Sequence, residues 1–181
     1  ATTVAASPEV SVQGSSVLIK GMVTDESPGT KNANRIARFP NGVPAVSEES
    51  QEDWMEYVYM QQPRPTNATG VPVSLSVIDS NGNSRQIGTA TSDASGMFGF
   101  TWKPDIQGQY TVIATFAGSQ SYYRSSAQTY FAVDSAAPTP APTAEPVQST
   151  ADMYFVPAIA GLFVFVAIIG VVIILVLKKR P

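Results

Sequence analysis

The feature that constrains this chain most is a long apolar run near its C-terminus. Residues 155 to 177 read FVPAIAGLFVFVAIIGVVIILVL and contain no charged side chain. The 23 residues of this run, at about 1.5 Å each in an α-helix, exceed the roughly 30 Å hydrocarbon core of a bilayer. We therefore predict a transmembrane helix over residues 153 to 177, which contacts membrane lipid.

Three basic residues follow the run directly. They are Lys178, Lys179 and Arg180, within a short tail of residues 178 to 181. Because positive charge beside a membrane helix favours the cytoplasmic side, we predict a cytoplasmic C-terminus. The expected location is the cell membrane, crossed once, with the N-terminal part outside. Ala1 fits either a mature N-terminus after signal cleavage or a cut within a longer chain.

The composition excludes several kinds of chemistry. The chain has no cysteine and no histidine, so thiolate or imidazole metal sites, disulfides, cysteine nucleophiles and histidine-based triads are ruled out. All 14 acidic residues precede the apolar run, whereas three of the 11 basic residues follow it. An acidic exterior part does not favour nucleic acid as a partner. We predict no catalytic residue, no metal site and no cofactor, and therefore no enzyme.

A proline-rich segment separates the N-terminal part from the apolar run. Residues 135 to 152 read SAAPTPAPTAEPVQSTAD. Proline cannot donate to a sheet ladder and favours extended polyproline geometry. The segment predicts either a semi-rigid stalk or a disordered tether.

Residues 1 to 134 have the pattern of short strands separated by turns. Val73, Leu75 and Val77 alternate with serines, as expected of a strand with one buried face. The next residues include Asn81-Gly82, a pair that supplies the positive φ angles of a tight hairpin turn. Seven such segments predict a mostly β domain, an immunoglobulin-like β-sandwich. They are EVSV, SVLIKGMVT, VPVSLSVID, RQIGTATS, MFGFTW, QYTVIATF and AQTYFAV.

The second half of this domain resembles a known family. The run GVPVSLSVIDSNGN to AQTYFAV resembles the bacterial-type immunoglobulin-like repeats of prokaryotic surface proteins. Gly108 and Tyr110 match the Gly-x-Tyr that opens the penultimate strand, and Gly118 with Tyr122 matches the Gly-x-x-x-Tyr before the last strand. Tyr110 is also placed like a corner tyrosine whose hydroxyl bonds back to the nearby turn.

The whole arrangement resembles the C-terminal ends of archaeal surface proteins, some of which carry β-propellers upstream. Those ends combine an SPGT to WMEYVYMQ segment, one immunoglobulin-like module, a Pro/Thr stalk and one membrane helix. The resemblance implies a location and an architecture, and no shared chemistry.

A long insertion interrupts the strand pattern. Residues 25 to 70 far exceed the usual connection of about 4 to 6 residues. Within them, residues 50 to 61 predict a helix, with Ser50 and Asp53 in the spacing of a capping box. Its apolar side is broad and aromatic, which favours burial against the sheets, although the width of the arc also allows a partner protein to dock there.

The insertion also supplies the candidate contact residues. If a partner docks, we expect it on Trp54, Tyr57 and Tyr59, together with the basic side chains of the loop over residues 25 to 46. Those basic residues are Lys31, Arg35 and Arg38. A solvated loop is an equally good interpretation of that basic cluster.

Asn67-Ala68-Thr69 in the same insertion is an N-glycosylation sequon. It lies on the side of the membrane where glycosylation takes place.

The sequence as a whole indicates a non-enzymatic, membrane-anchored surface protein. We expect it to be a structural or interaction module of the cell envelope with protein partners there, which allows it to be a subunit of a larger surface assembly. Two alternatives stay open at this point: a carbohydrate-binding or adhesive module with a glycan ligand, and a non-catalytic accessory subunit of a membrane enzyme.

Overall fold

The computed structural model describes residues 1 to 136 and 150 to 179. The chain divides into two units, Ala1–Ala137 and Pro138–Pro181. Most of the predicted stalk over residues 135 to 152, and Arg180 of the predicted tail, lie outside the described residues.

The first unit is mostly β. Its described residues form nine strands and two α-helices. The strands are β1 Thr2–Ser7, β2 Val10–Val12, β3 Val17–Asp25, β4 Val43–Pro44, β5 Pro72–Ile78, β6 Ser84–Thr91, β7 Met97–Trp102, β8 Gly108–Phe116 and β9 Ser125–Asp134. The helices are α1 Ala33–Arg38 and α2 Gln51–Met60.

The strands pair into two sheets among the described residues. In the first sheet β3 lies between β1 and β7 and also pairs with β4, and all of these pairs are antiparallel. The second sheet has the order β2-β9-β8-β5-β6, in which β2 runs parallel to β9 and the other pairs are antiparallel. The chain therefore changes sheet five times: on either side of β2, between β4 and β5, and on either side of β7.

One hydrophobic core draws its side chains from both sheets. Ile19 from the first sheet and Leu75 and Val112 from the second are fully buried. Each lies on the buried face of its strand, since every second side chain of a strand faces the same side. Burying an aliphatic side chain of this size stabilises the fold by about 1.5 to 3 kcal/mol, so this pattern holds the two sheets together.

Three aromatic rings close one region of this core. The rings of Tyr110 and Phe131 stack with centroids 5.2 Å apart, and Trp102 meets Tyr110 edge-on at 5.3 Å. These geometries are the favourable ones for aromatic pairs. The core therefore joins β7 to β8 and β9 through aromatic contacts as well as aliphatic ones.

Two turns share the same construction. Asp79 accepts hydrogen bonds from the backbone amides of Asn81 and Asn83 through Oδ1, and Gly82 donates to the carbonyl of Asp79. Asp93 does the same for Ser95 and Met97, with Gly96 in the position of Gly82. In each turn an aspartate side chain satisfies amides that a sheet would otherwise pair.

The first of these turns differs from the sequence prediction. Gly82 has a φ of 83°, whereas Asn81 is not in the left-handed region. The turn is therefore longer than the two-residue Asn-Gly hairpin, because the Asp79 side chain organises five residues rather than two.

The strand count also differs from the prediction of seven. The unpredicted β1 pairs with β3 from Thr2↔Val23 to Ser7↔Leu18, and β4 adds two residues from the insertion. The sequence pattern does not indicate β1, because its buried residues, Thr2 and Ala6, are too small or polar to give a clear apolar alternation.

The second unit contains a long helix, α3 Thr150–Lys178. Its segment Met153–Lys178 is long and apolar enough to cross a membrane. This matches the helix predicted over residues 153 to 177. Gly161 and Gly170 lie in open space on its surface, and Pro157 lies inside it near its start.

Candidate interaction site on the inserted segment

The candidate site is built on the insertion between β3 and β5. Two 3-10 turns, Pro28–Lys31 and Glu48–Ser50, accompany α1, β4 and α2 there. The predicted helix over residues 50 to 61 is present as α2. The stretch predicted as a loop over residues 25 to 46 is more ordered than expected, because it contains α1 and β4.

Backbone hydrogen bonds tie the insertion to the first sheet. β4 extends the end of β3 through the pairs Thr24↔Pro44 and Asp25↔Val43. The amide of Ala45 donates to the carbonyl of Val23 at 3.0 Å. The middle of the insertion therefore continues the first sheet.

A side-chain contact ties the insertion to the loop between β8 and β9. Glu48 accepts from the amide of Ser121 at 2.8 Å and from its hydroxyl at 2.9 Å. Hydrogen bonds from Ser119 and Ser121 hold the pKa of the Glu48 carboxyl below its ordinary value. Glu48 thus links two segments that are distant in sequence.

Helix α2 begins differently from the predicted capping box. Ser50 makes no capping hydrogen bond and has helical backbone angles of −96° and −3°. Its Oγ instead accepts from the amide of Thr69 at 3.0 Å. The 3-10 turn Glu48–Ser50 leads straight into α2, so Ser50 is already inside a helical turn and its hydroxyl is free to bind the returning chain.

The insertion has a small hydrophobic core of its own. Trp54 and Val58 of α2 are buried against Val43 and Val46. The Trp54 ring lies 5.4 Å from Tyr57 and 6.3 Å from Phe39, centroid to centroid. This second core joins α2 to β4 and to Phe39, the residue that follows α1.

Trp54 therefore lies inside the domain rather than on its surface. Its side chain has 0 % exposure, which favours the burial interpretation for this part of the helix. Tyr57 and Tyr59 are only partly buried. The predicted contact surface narrows to these two tyrosines and the basic residues beside them.

Arg38 fastens α1 to the last turn of α2. Its Nη1 donates to the carbonyl of Val58 at 3.3 Å and its Nη2 to that of Tyr57 at 3.1 Å. The last four carbonyls of a helix have no partner within the helix, and positive charge is favourable there. Arg38 satisfies two of these carbonyls and supplies that charge.

The guanidinium groups also lie over aromatic rings. Arg38 lies 4.7 Å from the centroid of Tyr57, and Arg35 lies 4.4 Å from that of Tyr59. Tyr59 is backed by Gly29, where a Cβ would stand 2.9 Å from the tyrosine hydroxyl. Cation–π contacts of this kind fix the positions of both cations.

These side chains border an open groove, which we call the arginine groove. It has a volume of about 660 Å³ and lies between α1, the end of α2 and the residues that follow α2. The residues that define it are Arg35, Arg38, Tyr57, Tyr59, Gln62 and Arg64.

The sequence prediction omitted two members of the arginine groove, Gln62 and Arg64, and it included Trp54 and Lys31, which do not border the groove. Arg64 borders the groove and donates to the carbonyl of Ala94 at 3.2 Å. Its position after the α2 C-cap gave no local signal, because only the left-handed turn at Gln61, with a φ of 60°, directs the chain back there. Lys31 forms an ion pair with Glu26 and does not border the groove.

The remaining insertion residue of interest is Asn67. Its side chain is exposed, and Thr69 of the sequon shares a hydrogen bond of 2.8 Å with Ser47. Glycosylation of Asn67 stays a prediction.

The four residues that the resemblance marks as important for the fold, Gly108, Tyr110, Gly118 and Tyr122, lie near the two ends of β8. The hydroxyl of Tyr110 accepts from the amide of Ile106 at 3.2 Å and lies 3.1 Å from both the Ile106 carbonyl and Asp105 Oδ1. Gly108 has a φ of 118°, and a Cβ there would meet Ser80 at 2.5 Å. Tyr110 thus attaches the start of β8 to the turn that precedes this strand.

The second of these turns lies between β8 and β9. Gly118 has a φ of 94°, a conformation that side-chain-bearing residues rarely adopt. Tyr122 packs against the main core, and burial raises the pKa of its hydroxyl.

At the other end of the chain, Lys178 closes α3 and Lys179 follows it. Their role in membrane orientation stays a prediction, because it depends on their positive charge and not on their position in the fold.

Residues 1 to 136 and 150 to 179 hold no group of three or more carboxylates arranged to bind a metal ion. No protein-family model and no curated protein matches the chain.

Proposed function

We propose that this chain is a non-enzymatic interaction module of the cell envelope, held outside the cytoplasm by its C-terminal helix. The observation that carries the proposal is α3, whose segment Met153–Lys178 is long and apolar enough to cross a membrane. A protein anchored in this way and carrying a folded β domain is suited to display a surface to partners beside the membrane.

The β domain is proposed to be an immunoglobulin-like sandwich. Three features support this assignment. β1, β3 and β7 pair as the A, B and E strands of that fold would, and β9, β8 and β5 pair as its G, F and C strands would. Tyr110, near the start of β8, bonds back to Ile106 as a tyrosine corner does.

The insertion is the proposed place of interaction. An immunoglobulin-like fold does not need these residues to complete its two sheets, and here they form a second core with an arginine-lined groove. Binding residues are found disproportionately on connecting segments that a rigid scaffold positions.

The positive cluster of Lys178, Lys179 and Arg180 supports an orientation with the β domain outside. The Pro-rich residues 135 to 152 would then act as the stalk between the domain and the membrane.

The orientation can be tested by cysteine labelling, because the chain has no cysteine of its own. We would introduce Tyr123→Cys, at a side chain with 98 % exposure, and separately Pro181→Cys. A membrane-impermeant maleimide should label the first variant in intact cells and the second only after lysis. Labelling in the reverse order would refute the orientation, and recovery of the protein in the soluble fraction would refute the anchor.

The interaction role is tested by gentle detergent extraction from native membranes, followed by native mass spectrometry. A stoichiometric protein partner is the expected result. A bare monomer would contradict the interaction module and direct attention to an adhesive or glycan-binding role.

A further inference from the structure

Within the described residues, the three arginines of the groove form no ion pair with a carboxylate. Across residues 1 to 136 and 150 to 179, the ion pairs are Lys31 with Glu26 and Arg85 with Asp105. Arg35, Arg38 and Arg64 therefore have no carboxylate within ion-pairing distance in the described part of the chain. The groove concentrates positive charge on a domain that is acidic as a whole.

These cations are held in place by neutral groups. Carbonyl oxygens hold Arg38 and Arg64, and the ring of Tyr59 holds Arg35. The Nε of Arg35 is buried and has no hydrogen-bond partner. Since a guanidinium carries five N–H donors, each arginine keeps donors that these contacts do not use. Side chains that are already fixed lose less entropy when a ligand binds.

The chemistry of the groove favours carboxylates presented by a polypeptide. Guanidinium groups match a carboxylate through two parallel hydrogen bonds. The side-chain amides of Asn34, Gln61 and Gln62 border the same groove and can donate to and accept from peptide groups. Arg35 and Arg38 lie over Tyr59 and Tyr57, on ring faces that a sugar would need for stacking. We propose that the arginine groove binds an Asp- or Glu-rich segment of another protein.

This proposal rests on the proposed function in one respect, that the domain meets protein partners in its compartment. It names the chemistry of the partner segment, which anchoring by α3 leaves open.

The test uses the full chain in uncharged detergent micelles and a fluorescein-labelled hexaglutamate peptide, followed by fluorescence anisotropy. Hexaglutamine with the same label measures binding that does not depend on carboxylates. We expect hexaglutamate to bind, and the affinity to fall as salt is raised because the contacts are between charges.

A double variant and a matched control locate the binding site. Arg35→Gln with Arg38→Gln should weaken hexaglutamate binding by about tenfold or more, since charge-assisted hydrogen bonds are lost. Lys103→Gln with Arg124→Gln removes the same two positive charges at exposed residues outside the groove, and should leave the affinity unchanged. Equal loss in both variants would overturn the proposal, because binding would then reflect net charge alone.

Because Arg38 also fastens α1 to α2, the double variant could lose its fold. Arg64→Gln serves as a second variant, since Arg64 makes no hydrogen bond to α1 or α2: its guanidinium donates to the loop carbonyl of Ala94 and lies 5.9 Å from the centroid of the Trp54 ring. It should weaken binding by several-fold while thermal unfolding stays as in the wild type. Unchanged affinity in a folded Arg64→Gln protein would overturn the proposal.

Other anionic ligands are separate outcomes. Tighter binding of an oligogalacturonate, or of nanodiscs containing phosphatidylglycerol, than of hexaglutamate would overturn the peptide proposal in favour of a glycan or a lipid surface. If hexaglutamate does not bind and the protein still inserts into membranes, the proposal of an acidic partner segment is refuted and that of the membrane anchor stands. Failure of membrane insertion would be seen in the labelling experiment and would not affect peptide binding in micelles.

Discussion

Glu48 holds Ser121 through both of its carboxylate oxygens, one on the Ser121 amide and one on the hydroxyl. This contact joins the start of α2 to the loop between β8 and β9. The insertion is therefore attached to both sheets, through β4 on one side and Glu48 on the other.

Replacing Glu48 should loosen that loop. Glu48→Ala removes both carboxylate oxygens and leaves the amide of Ser121 with only the longer contact to Ser119 Oγ at 3.2 Å. That amide should therefore exchange its hydrogen with solvent several-fold faster. Glu52→Ala, an exposed carboxylate in the first turn of α2, is the control. Equal exchange rates in Glu48→Ala and wild type would show that the contact does not order the loop.

Truncating Trp54 should collapse the small core of the insertion. Trp54→Ala removes a fully buried indole, and such changes cost about 3 to 5 kcal/mol. Limited proteolysis at increasing urea concentrations should show that the insertion is cleaved first. The fluorescence of Trp102 in the same samples reports on the main core.

Tyr123→Ala is the matched control for Trp54→Ala, because Tyr123 is almost fully exposed. It should change stability by less than about 0.5 kcal/mol. If Trp54→Ala behaved like Tyr123→Ala, the second core would contribute nothing to the fold.

Removing the hydroxyl of Tyr110 should weaken the turn before β8. Tyr110→Phe leaves the amide of Ile106 without its partner and should cost about 1 to 2 kcal/mol in unfolding free energy. Tyr130→Phe, at an exposed tyrosine of β9, should have no effect. Urea denaturation of the two variants side by side measures the difference, and equal midpoints would argue against a corner role.

Acid should weaken the fold through Asp105. The ion pair with Arg85 holds the pKa of the Asp105 carboxyl well below its ordinary value. A carboxyl with a depressed folded-state pKa stabilises the fold at pH values above its unfolded-state pKa of about 4, and that stabilisation is lost as pH falls below it.

The test of this linkage compares wild type with Asp105→Asn from pH 6 down to about pH 2, using urea midpoints at each pH. The wild-type midpoint should fall more steeply than that of the variant below about pH 4. Parallel curves would mean that Asp105 has the same proton affinity in the folded and unfolded chain. Asp134→Asn, at an exposed carboxylate of β9, should follow the wild type.

A charge in the middle of α3 should impair membrane insertion. Ile168→Arg places a charge near the centre of Met153–Lys178, where arginine costs about 2.5 to 3.5 kcal/mol in apparent insertion free energy. Ile168→Leu should insert as the wild type does. Extraction at alkaline pH, which releases proteins that are not inserted, separates the two results, and retention of the arginine variant would contradict a simple lipid-facing anchor.

Several elements could be predicted because their signals are local. The apolar run gave α3, and the alternation of Val73, Leu75 and Val77 gave β5 with its buried face. Helix α2 was predicted to within one residue at each end, since Pro63 and Pro65 follow it and acidic residues crowd its first turn.

Other elements depend on contacts that a local pattern does not contain. Helix α1 has six residues and none of them is buried, and so short a helix is marginal by itself. It is ordered by the contacts of Arg35 with the Tyr59 ring and of Arg38 with two carbonyl groups of α2. Arg64 joins them only because the chain turns back after Gln61.

The sequence by itself determined that this chain has a β domain and an apolar helix long enough to span a membrane, because both follow from the periodicity and length of apolar runs. Only the tertiary structure decided that Trp54 is buried while Arg35, Arg38 and Arg64 line one groove. The physical reason is that burial and charge pairing depend on which distant segments meet. The helix face alone favoured burial of its aromatic side chains but did not decide between a core and a partner.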